Sequence, residues 1–133
     1  MFSFSGWLTI HLEEYHQTLR AKCREFHNRK HRLKQPDSSL ADLRGFNDLC
    51  LSMADKCQQQ GDDGRSLSIL LSLHQQLVSG MADEAQDMLF RLQALQLARY
   101  SLSQLSHRLM QEGEWEQVCH LQEEFFCYSE QLP

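Results

Sequence analysis

Three residues near the start of the chain have the types and spacing of metal ligands. Cys23, His27 and His31 recur at i, i+4 and i+8, so on a helix they project from one side, with His16 two turns earlier. Thiolate and imidazole bind zinc or copper, and an i, i+4 pair can set two ligands on one ion. The same segment carries Arg20, Lys22, Arg24, Arg29, Lys30, Arg32 and Lys34, whose charge opposes a cation, and Cys23 falls on the apolar stripe of its own helix. The expectation is a core thiol with two solvated histidines, without metal or cofactor. That basic run could instead neutralise phosphates or meet an acidic protein surface, with Arg29, Lys30 and Arg32 as the contact residues. It has no helix-turn-helix beside it and no interleaved stacking aromatics beyond Phe26. Nucleic acid therefore stands as the alternative reading, not the first.

Nucleophiles offer less. Cys119 and His120 are adjacent, so on a helix they point about 100° apart and cannot form a thiol and imidazole pair. Cys50 and Cys57 sit at stripe positions and read as buried, inert thiols. Glu114, Glu116, Glu123 and Glu124 read as surface charge. His74, on the most apolar stretch, is the histidine whose pKa burial would shift, although a satisfied core histidine is the default. The chain is not expected to be an enzyme. The aromatics are the stronger candidates: Phe125 and Phe126 cannot both face one core, and Trp115 either lays its ring on the preceding helix or joins Phe125, Phe126 and Tyr128 as an anchor for a partner. Phe2, Phe4 and Trp7 pose the same question at the other end. Apolar residues at both ends suit a groove or the seam of a homodimer.

The elements that position these residues follow from apolar periodicity. Leu8, Leu12, Tyr15, Leu19, Cys23, Phe26, Lys30 and Leu33 make one stripe of a helix from Gly6 to about Gln35, ended by Pro36. Asp37, Ser38 and Ser39 supply cap oxygens for a second helix with Leu40, Leu43, Phe46, Cys50, Met53 and Cys57, closing at Gly61. After a turn at Asp62-Asp63-Gly64, Leu67, Leu70, Leu71, His74, Leu77 and Val78 predict a third helix ended by Gly80. A fourth begins near Ala82-Asp83-Glu84 and runs through Met88, Leu92, Leu95, Leu102, Leu105 and Leu109 to Gly113, and a fifth spans Glu114 to Leu132. Connections of two to four residues imply antiparallel neighbours. The elbows Gly61-Asp62 and Gly113-Glu114 look alike but lie too far apart for a tetratricopeptide array.

Composition agrees with one helical domain spanning residues 1–133: 41% of residues are hydrophobic, 23% are charged, and only 2 are proline. Five cysteines without CxxC spacing argue against a disulfide framework or zinc finger and for buried thiols in a reducing compartment. Met1 to Ile10 lacks a positive n-region and its apolar run stops at His11, so it reads as neither signal peptide nor membrane span, and a cytoplasmic location is expected. The net charge of −5 is uneven. The first 35 residues are basic and the rest acidic, with six Glu and no Lys or Arg from Glu112 onward. Such ends either attract one another or give the molecule two opposed faces.

One local resemblance bears on function. The hairpin from Leu102 to Val118, LSQLSHRLMQEGEWEQV, followed by Leu121-Gln122-Glu123-Glu124-Phe125-Phe126, resembles the opening hairpin of the FliT-like flagellar export chaperones. In that family a leucine-rich helix leads through a small or acidic turn and a Trp-acid pair into an acidic-aromatic helix. Here the hairpin lies at the carboxyl end, whereas the family has it near the amino end, and it covers about a quarter of the chain. The resemblance implies a small cytosolic helical bundle that holds a secreted subunit soluble for type III export. It places Leu105, Leu109, Trp115, Val118 and Phe125 in hairpin packing and implies no catalytic position.

The expected fold is an all-α, antiparallel up-and-down bundle of four to five helices. The expected function is protein binding: a chaperone or adaptor that shields an apolar helical segment of a partner. The alternatives are a regulator contacting nucleic acid or the transcription or replication machinery through the basic first helix, and a structural subunit of a larger assembly.

Overall fold

A computed structural model describes residues 3–133, and among them lie five helices and no strand: α1 (Phe4–Leu33), α2 (Leu40–Gln59), α3 (Asp63–Ala82), α4 (Met88–Gln111) and α5 (Trp115–Ser129). Phe2 lies outside the described residues. The helices form the all-α bundle expected from their stripes, and none is long and apolar enough to cross a membrane.

Local chemistry fixes the ends. Ser39 and Asp42 form a capping box, the Ser39 hydroxyl accepting from Asp42 N and the Asp42 carboxylate accepting from Ser39 N at 2.9 Å. Gly61 and Gly113 each adopt φ +77°, the left-handed conformation that glycine enters without a Cβ clash. Both close Schellman motifs. Gly61 N donates to Gln58 O and Asp62 N to Cys57 O, while Gly113 N donates to Met110 O and Glu114 N to Leu109 O. The two elbows are thus the same device, each turning one helix onto the next.

The α3–α4 connection departs from expectation. Gly80 does not end α3, which continues to Ala82, and α4 starts at Met88 rather than near Ala82. Asp83 diverts the chain by accepting from Ala85 N through its own carboxylate at 3.0 Å, an Asx turn that competes with helix. Asp87 then caps α4 by accepting from Phe90 N at 2.8 Å. Gly80 serves packing instead. A Cβ there would sit 3.3 Å from the Phe90 ring and 3.4 Å from Ala94 Cβ, so its absence sets how closely α3 and α4 approach. Asp63 and Gly64, read as turn, are the first residues of α3.

Packing centres on α3, which lies against α2, α4 and α5, while α2 also touches α4. One continuous core draws on all five helices, with Leu43, Phe46, Leu73, Leu77, Met81 and Leu105 wholly buried. Arg108 crosses three helices: its guanidinium donates to Gln58 on α2 and to Ser66 on α3, and the buried Ser66 hydroxyl donates to Ala54 O at 2.7 Å. α1 has its main partner in α2, and no substantial interface joins α1 to α5.

The two interior helix glycines should respond oppositely to substitution. At Gly45 an added Cβ meets only the Arg29 guanidinium, the movable end of an exposed side chain. Gly45→Ala should therefore raise stability by about 0.5–1 kcal/mol through helix propensity. Gly80→Val should lower it by about 1–3 kcal/mol by forcing α4 away. Urea midpoints of the two variants check both signs.

Candidate functional site

The three residues with ligand spacing do not converge. Cys23 is half-buried against the core, whereas His27 and His31 are exposed, His27 against the edge of the Phe26 ring and His31 within 3.3 Å of Gln35 Nε2. Among the described residues no three of His, Cys, Asp and Glu are grouped to hold a metal ion. The cysteines divide differently from expectation. Cys50 and Cys57 are buried and Cys23 partly so, but Cys119 and Cys127 lie at the surface because α5 is covered on one side only. Burial raises the Cys50 thiol pKa to about 12, which leaves it protonated and unreactive.

The basic face of α1 is partly neutralised within the molecule. Arg29 pairs with Glu25 at 3.1 Å, and its guanidinium lies over Gly45. Arg32 pairs with Asp37 at 2.7 Å and Asp42 at 3.5 Å, and Lys30 stands 5.8 Å above the Phe26 ring. The Arg29 hydrogen bond holds the Glu25 carboxyl below its usual range, and Arg32 does the same for Asp37. The cations without an ion pair among the described residues include Arg20, Arg24 and Lys34, all exposed. The i, i+4 spacing of Glu25 and Arg29 lies within α1 and is visible in the sequence, whereas the pairing of Arg32 is not, because its carboxylates come from the α1–α2 turn and from α2.

His74 is fully interior. Its Nδ1 lies 2.7 Å from Ser101 Oγ, and Ser101 in turn donates to Ala98 O at 3.0 Å, so Nδ1 is assigned the proton and donates to the hydroxyl. Nε2 is buried without a partner. Desolvation lowers the pKa to about 4, so this histidine stays neutral at physiological pH.

The aromatics of α5 resolve cleanly. Phe125 is 3% exposed and faces the core with Val118 and Leu121, whereas Phe126 is 56% exposed. Tyr128 is half-buried against the core. Trp115 does not staple the elbow: it begins α5 and is 59% exposed. The helical period then aligns Trp115, Cys119, Gln122 and Phe126 at i, i+4, i+7 and i+11 along a side of α5 about a quarter turn round from the buried Val118, Leu121 and Phe125. Glu116, Glu123 and Glu130 recur every seven residues along one flank of that stripe. The result is an apolar strip two aromatics long, edged by three carboxylates. The comparable surface on α1 comprises Phe4, Trp7, Leu8, Ile10 and Leu12, all exposed although Leu8 and Leu12 read as core from their spacing. No protein-family model, curated protein or solved structure matches the chain.

The pH dependence of stability should carry the signature of His74. Between pH 6.5 and about 4 the unfolded chain takes up a proton that the folded chain refuses. Stability is therefore full above pH 6.5 and falls as pH drops, by about 3 kcal/mol from this one group. Across that range the urea midpoint of the parent should fall relative to that of His74→Leu as the pH drops. A constant difference would remove His74 as the cause.

Proposed function

We propose that this chain is a protein-binding helical module, a small cytoplasmic chaperone or adaptor that shields an apolar helical segment of a partner. The observation that carries this reading is the outer strip of α5, where Trp115 and Phe126 stand 59% and 56% exposed beside a row of glutamates. A large aromatic left in water forgoes about 2 kcal/mol of burial, and two on one helix face form a patch that association can cover. The charge pattern specifies the partner's chemistry: an amphipathic helix with aliphatic anchors spaced to meet Trp115, Cys119 and Phe126, and Lys or Arg on the flank facing Glu116, Glu123 and Glu130. Apolar burial supplies the affinity, while the charges set orientation and on-rate. The FliT-like hairpin resemblance adds a secretion substrate as the class of client, although the hairpin packing it implies for Trp115 differs from the exposed ring found here. The exposed face of α1, with Arg29, Lys30 and Arg32, is the second protein-contact region in this reading.

Phe126→Ala and Trp115→Ala test it, because neither ring is packed in the core and the fold should survive both changes. A synthetic amphipathic helix with leucine anchors and a lysine flank should bind the parent, and each substitution should weaken it roughly thirtyfold, about 2 kcal/mol. The same peptide with a glutamate flank should not bind. Equal binding by parent and variants, measured by fluorescence anisotropy, would remove α5 as the docking face.

A second reading has its own observation. Arg20, Arg24 and Lys34, exposed and without an ion pair among the described residues, give α1 positive charge for a polyanion. A short DNA duplex or single-stranded RNA, titrated at rising salt, separates the two readings: contact through these cations weakens steeply with salt, while capture of an apolar helix does not.

A further inference from the structure

Arg20, Arg24 and Lys34 belong to a longer row. With His27 and His31 between them they follow one another at intervals of four, three, four and three residues. On a helix that spacing confines all five to an arc of about 80° and spreads them over about 21 Å. All are exposed, and none enters an ion pair among the described residues. The row lies about a third of a turn from Leu19, Phe26 and Leu33, which face the core. No carboxylate interrupts it between Arg20 and Lys34, and beyond Arg20 it runs through Gln17 to Glu13.

The charges around the row leave it positive. Glu25 engages Lys22 and Arg29, and Asp37 and Asp42 engage Arg32, all a third of a turn or more from the row. α2 also brings Lys56, which lines a cleft with Lys22 and Tyr15 on that other flank. Lys30 stands over the Phe26 ring, between the row and the core. At the carboxyl end of the row, Asp83 of the α3–α4 connection lines a cleft with Lys34.

The row's composition selects its ligand. It carries no apolar side chain, so a helix laid along it would find no anchor. Fixed cations and N–H donors in a line are what a phosphate backbone takes. Binding of a single strand also draws on aromatic faces that stack bases. Phe26, beside His27, has its ring against Phe46 at 5.4 Å and offers no such face. A duplex keeps its bases stacked inside and presents phosphates alone.

We propose that this row binds the sugar-phosphate backbone of duplex nucleic acid without reading its sequence, and that His27 and His31 grade the strength of binding with pH. The proposal rests on the second reading above and adds two charges to it, because histidine changes charge between about pH 5 and 8. Arg20, Arg24 and Lys34 act at every pH in that range, and the two histidines join them toward the acid end.

A DNA duplex of about 20 base pairs, titrated with the full chain by fluorescence anisotropy at rising salt, counts these charges, since log K falls against log salt by about 0.9 per neutralised phosphate. The slope should steepen from about −3 near pH 8 to about −4.5 near pH 5.5. His27→Gln/His31→Gln should match the parent near pH 8 and bind roughly tenfold more weakly near pH 5.5, with a slope shallower by about 2. Arg20→Gln/Arg24→Gln should lose about 2 from the slope at both pH values. Circular dichroism confirms that each variant keeps the parent's helicity. Absence of salt-dependent binding at either pH would overturn this proposal and the second reading together. Salt-dependent binding in which parent and histidine variant coincide near pH 5.5 would overturn the proposal and leave that reading standing. Single-stranded DNA, or vesicles of phosphatidylglycerol, held as tightly as the duplex would overturn the choice of ligand.

Discussion

The burial of α3 is the constraint from which the rest of the architecture follows. Its 20 residues include Ile69, Leu70, Leu73, Leu77, Val78 and Met81, all buried, and the helix contains one basic residue, Arg65. A helix so apolar around its circumference must be enclosed. α2, α4 and α5 therefore pack around it, with Gly80 letting α4 come close and Arg108 tying α2, α3 and α4 together at the far end. Once those three positions are filled, α1 is left to lie on α2. Its surplus length has no neighbour, and α5 is covered on one side only. The two exposed apolar surfaces are thus results of how the middle of the chain satisfies itself.

Much of this was legible in the residues. Period-3.6 stripes located five helices, and both helix-breaking elbows were visible as Gly followed by an acid. The adjacency of Phe125 and Phe126 required one of them to leave the core, although which one depended on where α3 and α4 lie. The misreadings have physical sources. Gly80 looked like a stop signal because glycine both ends helices and permits close packing, and sequence does not distinguish these roles. The start of α4 hinged on whether Asp83 or Asp87 acts as the cap, and the Asx turn at Asp83 decided it. Leu8 and Leu12 carried the correct period for burial, but periodicity reports which face is apolar and not whether a neighbour is long enough to reach it.

Electrostatics follow the same topology. The basic α1 and the acidic α5 are not paired within the molecule, so their charges remain separated across it instead of cancelling. A separation of this kind orients the molecule in the field of any charged partner at distances within a Debye length, and salt removes the effect. It also ranks the ion pairs that do form. Those of Arg29 and Arg32 are exposed and contribute little stability, but they fix which cations on α1 remain free.

The overhang of α1 also divides one helix into two dynamic regimes. From Tyr15 onward its amides are protected by packing against α2 and open only when that packing is lost. Before Tyr15 the hydrogen bonds are held by helix propagation alone, in a stretch shorter than an isolated helix needs to persist in water. A single continuous helix therefore has backbone amides with widely different exchange lifetimes, and the boundary between them falls where α2 ends, with no break in the secondary structure to mark it.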